Sequence, residues 1–205
     1  GIAHNFNNIL MGIQGNVSLM MLDKKPDDRD YIRLNNIQTL IDNGARLTNQ
    51  LIGYAREGAY SLKTVDLNRL IKETLDFYFK KGSEISIRLD LAESLVSIRI
   101  DKTQIGHVLL DLYSNAVDAM PEGGEIFIKT ANVNDSDIKG KEYNPLPGEY
   151  AMLYIKDTGV GMTKDVMARI FEPFFTTKGL AKGSGLGLAS VYGIIKAHKG
   201  YIEVE

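Results

Sequence analysis

A chain of 205 residues can hold one large domain or two smaller ones with a real core. Its 44% apolar and 24% charged content is that of an ordinary soluble globular protein, and a net charge of −2 offers no electrostatic case for nucleic acid or an anionic membrane surface. The absence of cysteine excludes a disulfide framework, a thiolate metal centre and a cysteine nucleophile, and fits a reducing cytosol; no apolar run nears the roughly 18 residues a membrane span needs.

In chain order, Ile2, Phe6, Ile9, Ile13, Val17 and Met20 recur in steps of three and four, which predicts a helix. A polar break around Pro26 follows. Ile37, Leu40, Gly44, Leu47, Leu51 and Tyr54 then keep a heptad spacing, which predicts a second helix antiparallel to the first. Two helices enclose little core, so the hairpin is expected to pair with a second copy as a four-helix bundle. Residues 56–64 lose periodicity and read as a linker. Asp66 caps a helix beginning at Leu67, and element types then alternate: strands over 85–89 and 96–100, a helix over 102–120, and strands over 125–133 and 150–156. An irregular stretch over 134–148 separates the last two of these strands. A helix over 186–198 and a strand over 201–205 close an α+β arrangement with strands on one side and helices on the other. The expected division is 1–58 hairpin, 59–65 linker and 66–205 α/β sandwich, in a piece cut at both ends.

Four patches carry candidate chemistry. In LLDLYSNAVDAM, residues 109–120, Asp111, Asn115 and Asp118 share one helix face and offer oxygens suited to a hard divalent cation. In DTGVGM, residues 157–162, Asp157 ends a strand and can accept from an amine, while Gly159 and Gly161 allow close backbone approach or positive φ. IFEPFFTTK, residues 170–178, groups Phe171, Phe174 and Phe175 around a proline, a pattern suited to the hinge of a lid. Gly183, Gly185 and Gly187 open a helix whose first amides lack helical partners, which makes an anion site. The spacing fits neither a P-loop nor a dinucleotide-binding fingerprint.

In this order, Asn115, residues 157–161, Phe171 to Phe175 and residues 183–188 closely resemble the N, first glycine, F and second glycine boxes of sensor histidine kinases. AHNFNN, residues 3–8, resembles the H-box, in the variant usually written AHDFNN. The resemblance implies a dimeric hairpin presenting a phosphoacceptor histidine and a gyrase-like α/β sandwich binding ATP with Mg²⁺. Asn115 would ligate magnesium, with Asp111 and Asp118 on the same helix face. Asp157 would receive the adenine amine beside Gly159 and Gly161. Gly183, Gly185 and Gly187 would close the lid over the phosphates, Leu186, Phe171 and Phe175 would belong to the same nucleotide site, and Lys178 or Lys182 would add positive charge there. His4, lying off the apolar stripe, would attack the γ-phosphorus and pass the phosphoryl group to an aspartate on a response-regulator receiver domain. Asn8, one turn on, would position a water for dephosphorylating that partner.

Two positions depart from the family pattern. Asn5 stands where an acid is usual and cannot take a proton at neutral pH, so an ATP-binding module acting mainly as phosphatase or scaffold is the alternative. Asp111 stands where an asparagine is usual. The resemblance further implies a homodimer and a cytoplasmic core without membrane contact by this fragment. His107 and His198 read as structural.

Overall fold

The computed structural model describes residues 2–22, 24–55, 61–79, 84–138, 144–178 and 185–205, with the backbone alone for 2–7, 42–43 and 45–55. The chain divides into two compact units, Gly1–Ala59 with Glu172–Leu186, and Tyr60–Phe171 with Gly187–Glu205.

The first unit holds α1 (Ile2–Met21) and α2 (Arg29–Ala55), which pack antiparallel. At the turn, Asp28 accepts from the Asp30 amide (2.8 Å), and the Lys24 ammonium lies 3.9 Å from Asp28 and 3.7 Å from Asp30. Val17, Leu34 and Ile41 are buried, with Leu10 and Met21 against them. Gly44 faces Leu10 across this seam: a Cβ built on it would lie 3.4 and 3.5 Å from the two Leu10 methyls, ordinary van der Waals contact. Part of the apolar periodicity read from sequence faces elsewhere: Ile9, Ile13, Met20, Ile37 and Leu40 are all exposed in the single chain. The hairpin's own seam therefore uses Leu34 and Ile41 beside the heptad position Gly44, with the heptad positions Ile37 and Leu40 turned away. The side chains of Leu47, Leu51 and Tyr54 lie outside the described residues.

In the second unit, β1 (Lys63–Val65) pairs antiparallel with β3 (Ile98–Ile100). These three residues of β1 fall within the stretch expected to be linker, and three residues are too few for periodicity to register. A second sheet has the order β2 (Ile85–Asp90), β4 (Gly124–Asn134), β5 (Glu149–Asp157), with β2–β4 parallel and β4–β5 antiparallel. Alternation along β4 sends Ile126, Ile128 and Thr130 to the buried face. There α3 (Leu67–Tyr78) contributes Leu67, Leu70, Ile71 and Leu75, and α4 (Lys102–Ala119) contributes Ile105, Leu109, Tyr113 and Ala116. Each fully buried aliphatic side chain in this layer contributes about 1.5–3 kcal/mol.

Both helices start as their sequences dictate. Asp66 accepts from the Arg69 amide, and Asp101 accepts from the Thr103 and Gln104 amides. The one buried hydroxyl on β4 is satisfied: Thr130 donates to Asn68 Oδ1 (2.8 Å) and accepts from the Ala92 amide (3.0 Å), while Asn68 donates to the Ala92 carbonyl (2.8 Å). Tyr113 is fully buried, its phenol within 3.4 Å of the Thr74 hydroxyl, and burial pushes that phenol above its ordinary range.

The short helices α5 (Asp135–Ile138) and α6 (Lys164–Met167) flank β5, and α7 (Gly187–Ala197) packs on α4. Among the described residues, 201–205, expected as a strand, are not assigned to a strand; Tyr201 packs edge-on against Tyr150, 5.8 Å between ring centres. The end of α7 is a Schellman motif: the Gly200 amide donates to Ile195 O and the Lys199 amide to Lys196 O, with Lys199 at φ 58°. A lysine in the left-handed region is strained where glycine is the usual occupant. Lys199→Gly is expected to raise stability by about 1 kcal/mol, read as a higher midpoint in thermal unfolding.

Candidate nucleotide-binding site

The site is built on the C-terminal half of α4 and the turn that leaves β5. Asp111 and Asn115 are half-buried on one face of α4, and Asp118 is exposed a turn further on. The start of α7 approaches them: a Cβ placed on Gly187 would lie 4.0 Å from Asn115 Nδ2 and 4.0 Å from Asp111 Cγ. A carboxamide, a carboxylate and a helix N-terminus thus meet at one point. The first amides of α7 have no partners within the helix, and the helix dipole favours an anion there. Two hard oxygen donors beside an anion site are a fitting donor set for a divalent cation bridging phosphates.

The turn after β5 is fixed from three sides. Asp157 Oδ1 accepts from the Gly159 amide (2.9 Å), and the Val160 amide donates to the Ala119 carbonyl (3.1 Å) at the end of α4. Thr158 donates from its amide to Glu125 O (3.2 Å), and its hydroxyl accepts from the Glu125 amide (3.0 Å) and donates to Met120 Sδ (3.4 Å). Among the described residues, Asp157 Oδ2 receives no hydrogen bond. That half-buried carboxylate oxygen fits an amine donor. The two glycines do different work. Gly159 lies so close to Ala119 that a Cβ would fall 2.6 Å from its carbonyl oxygen, whereas Gly161 has open space and is needed for its φ of 68°.

Other expected site residues are distributed as follows. The Phe171 ring lies 5.1 Å from that of Tyr192 on α7, beside buried Ile170. In segment 172–186, Phe175 and Lys178 are half-buried and Leu186 is buried; Thr176 Oγ1 accepts from the Lys178 amide (3.1 Å). Phe174 sits at φ 68° and donates its amide to the carbonyl of Gly185, itself at φ 64°. Lys182 and Gly183 lie outside the described residues, as do the side chains of His4 and Asn5, which α1 carries in its first turn. Asn8 is exposed on α1. His107 is exposed, and His198 is engaged by hydrogen bonds at both ring nitrogens.

The structure adds a residue that the sequence reading passed over. Thr158 ties the Asp157 turn to β4 and to Met120; its only signal was its place in the DTG run. The Ala119 carbonyl, which walls the turn, has no side-chain signature at all.

Residues 100–205 match the family described as histidine kinase-, DNA gyrase B-, and HSP90-like ATPase. The chain is 36% identical over 204 residues to the sensor kinase CckA of Brucella abortus (strain 2308), covering 98% of this chain and 22% of that protein. It is 30% identical over 207 residues to the sensor histidine kinase ZraS of Escherichia coli (strain K12), covering all of this chain and 41% of that protein. The chain therefore spans well under half the length of these relatives. Among solved structures it is similar to full-length ShkA in complex with AMPPNP, with a TM-score of 0.61 and 25% identity over 96% of this chain and 40% of that one. The order of its boxes, the geometry that joins Asn115 to Gly187 and Asp157 to the end of α4, and these likenesses agree: the chain, similar over its length to sensor histidine kinases, belongs to the histidine kinase-, DNA gyrase B- and HSP90-like ATPase family.

Proposed function

We propose that this chain is the core of an ATP-dependent protein histidine kinase that phosphorylates its own His4 and passes the phosphoryl group to an aspartate on a response-regulator receiver domain. The observation that carries the reading is the convergence of Asn115, Asp111 and the Gly187 end of α7, in the same unit as an Asp157 carboxylate with an oxygen open to an amine. In this reading residues 1–58 dimerise and carry the phosphoacceptor, and the part of the chain from β1 onward binds nucleotide. ShkA binds an ATP analogue, which supports ATP here.

Asp157 receives the adenine amine, with Gly159 and Gly161 shaping the backbone around it. The amides at Gly185, Leu186 and Gly187, with Gly183 and Lys178, hold the phosphates, and Phe171 and Phe175 flank that segment. Asn115 would hold Mg²⁺, with the carboxylates of Asp111 and Asp118 on the same helix face beside it; bound there, such an ion would supply charge neutralisation for the phosphates. His4 forms a nitrogen–phosphorus bond as the bond from the γ-phosphorus to the β–γ bridging oxygen breaks and ADP leaves. Asn5 orients the imidazole through a hydrogen bond, and Asn8 positions water for the reverse, dephosphorylating step.

Exposed Ile9, Ile13, Met20, Ile37 and Leu40 support a homodimer through the hairpin, since a second copy would bury them in a four-helix bundle. A separate face of α1, with Met11, Leu19 and Leu22 around Gly12 and Gly15, supports receiver docking: nothing lies within 4 Å of a Cβ built on either glycine, so a partner helix can approach closely. No helix among the described residues is long and apolar enough to cross a membrane, and we place this core at work in the cytoplasm.

Incubation with γ-labelled ATP and Mg²⁺ tests the reading: an acid-labile, alkali-stable label on the protein is expected, and ATP hydrolysis without any phosphoenzyme overturns it. In the same assay Asn5→Asp, which restores a proton acceptor beside the imidazole, is expected to raise the initial labelling rate by at least about tenfold.

A further inference from the structure

We infer that His198 is a positioning residue for the nucleotide site, acting as a neutral imidazole that clasps the far ends of α4 and α7. The two helices lie antiparallel. At one end Gly187 meets Asn115 and Asp111. At the other, His198, the residue after α7, accepts the Asp101 amide hydrogen at Nε2 (3.0 Å), while its Nδ1 lies 2.8 Å from the Ile194 carbonyl. The two contacts fix the tautomer: Nδ1 carries the proton and donates to the carbonyl, and Nε2 is left bare to accept.

Asp101 is the cap of α4. Its Oδ1 holds the Thr103 and Gln104 amides, and its Oδ2 accepts from the Ser61 amide at 3.2 Å. One imidazole therefore fixes the C-terminal end of α7 to the residue that starts α4. Eleven helical residues, about 16 Å, carry that constraint to Gly187. The rigid helix fixes how its first amides sit beside Asn115.

This inference rests on the nucleotide reading, and the experiment separates the two. Affinity for a non-hydrolysable ATP analogue with Mg²⁺ and hydrogen exchange at the Asp101 amide, corrected for intrinsic rates, are measured in wild type and two variants. His198→Leu is expected to weaken affinity by about three- to tenfold and to speed Asp101 exchange, as loss of one half-buried acceptor requires. His198→Gln, whose amide oxygen can reach the Nε2 position, is expected to restore both. Unchanged Asp101 exchange in the Leu variant, or a Gln variant that recovers neither affinity nor Asp101 protection, overturns the clasp. If the wild type binds no nucleotide, the nucleotide reading falls, and the Asp101 exchange arm still decides whether the clasp exists.

Discussion

His4→Gln is expected to abolish the acid-labile phosphoryl label while leaving ATP affinity within about twofold of wild type, since the nucleotide contacts assigned above come from other parts of the chain. The substitution suits the test because glutamine is a good helix former, so α1 is kept. A carboxamide nitrogen has its lone pair delocalised into the carbonyl and does not attack phosphorus, whereas a neutral imidazole nitrogen does. Phosphoryl transfer asks the protein mainly for in-line placement and charge neutralisation, so all the machinery around Asn115 remains in the variant and only the acceptor is gone. Label persisting in this variant would move the acceptor away from His4. Label lost together with ATP binding would show that the substitution had damaged the fold and not the chemistry, which a calorimetric titration reads directly.

Gly159→Ala is expected to weaken ATP binding by more than about tenfold and to lower stability by about 1–3 kcal/mol, the cost of forcing extra volume into a packed contact. The new methyl would sit 2.6 Å from the Ala119 carbonyl oxygen and 2.7 Å from the Ala119 Cβ. Both belong to the end of α4, which cannot yield without disturbing the Val160-to-Ala119 hydrogen bond. The turn must therefore retreat, and Asp157 moves with it because its carboxylate is held by the Gly159 amide. Gly161→Ala is the internal control. No atom lies within 4 Å of its built Cβ, so it meets only the cost of a positive φ, about 1–2 kcal/mol, with no displacement of Asp157. Equal losses of affinity in the two variants would refute the steric account.

Much of this was legible in the sequence where local periodicity carries the information. The alternation that places Ile126 and Ile128 inward, the Asp66 cap and the Asp111–Asn115 face of α4 are all properties of short windows. The features missed are those whose partners lie far away in the chain. Lys63–Val65 looked like linker because its reason for being a strand is Ile98–Ile100. The tie between Asp101 and His198 spans ninety-seven residues and has no local trace. In the hairpin, the heptad named Ile37 and Leu40, which are exposed, and passed over Leu34 and Ile41, which are buried, because an apolar stripe wide enough for two interfaces does not say which one the chain closes on itself.

The parallel pairing of β2 with β4 has a consequence in time as well as in space. Antiparallel neighbours can zip from a tight turn, but β2 can join β4 only after β3 and the whole of α4 have been threaded between them. The hairpin, by contrast, makes its contacts across a short turn and needs no such crossover. The two units should therefore acquire structure on separate clocks, helices meeting on the order of microseconds and the mixed sheet closing later, over milliseconds. Since α4 carries both the sheet's helical cover and Asn115, the polar face of that helix takes its place in the same slow step that completes the sheet.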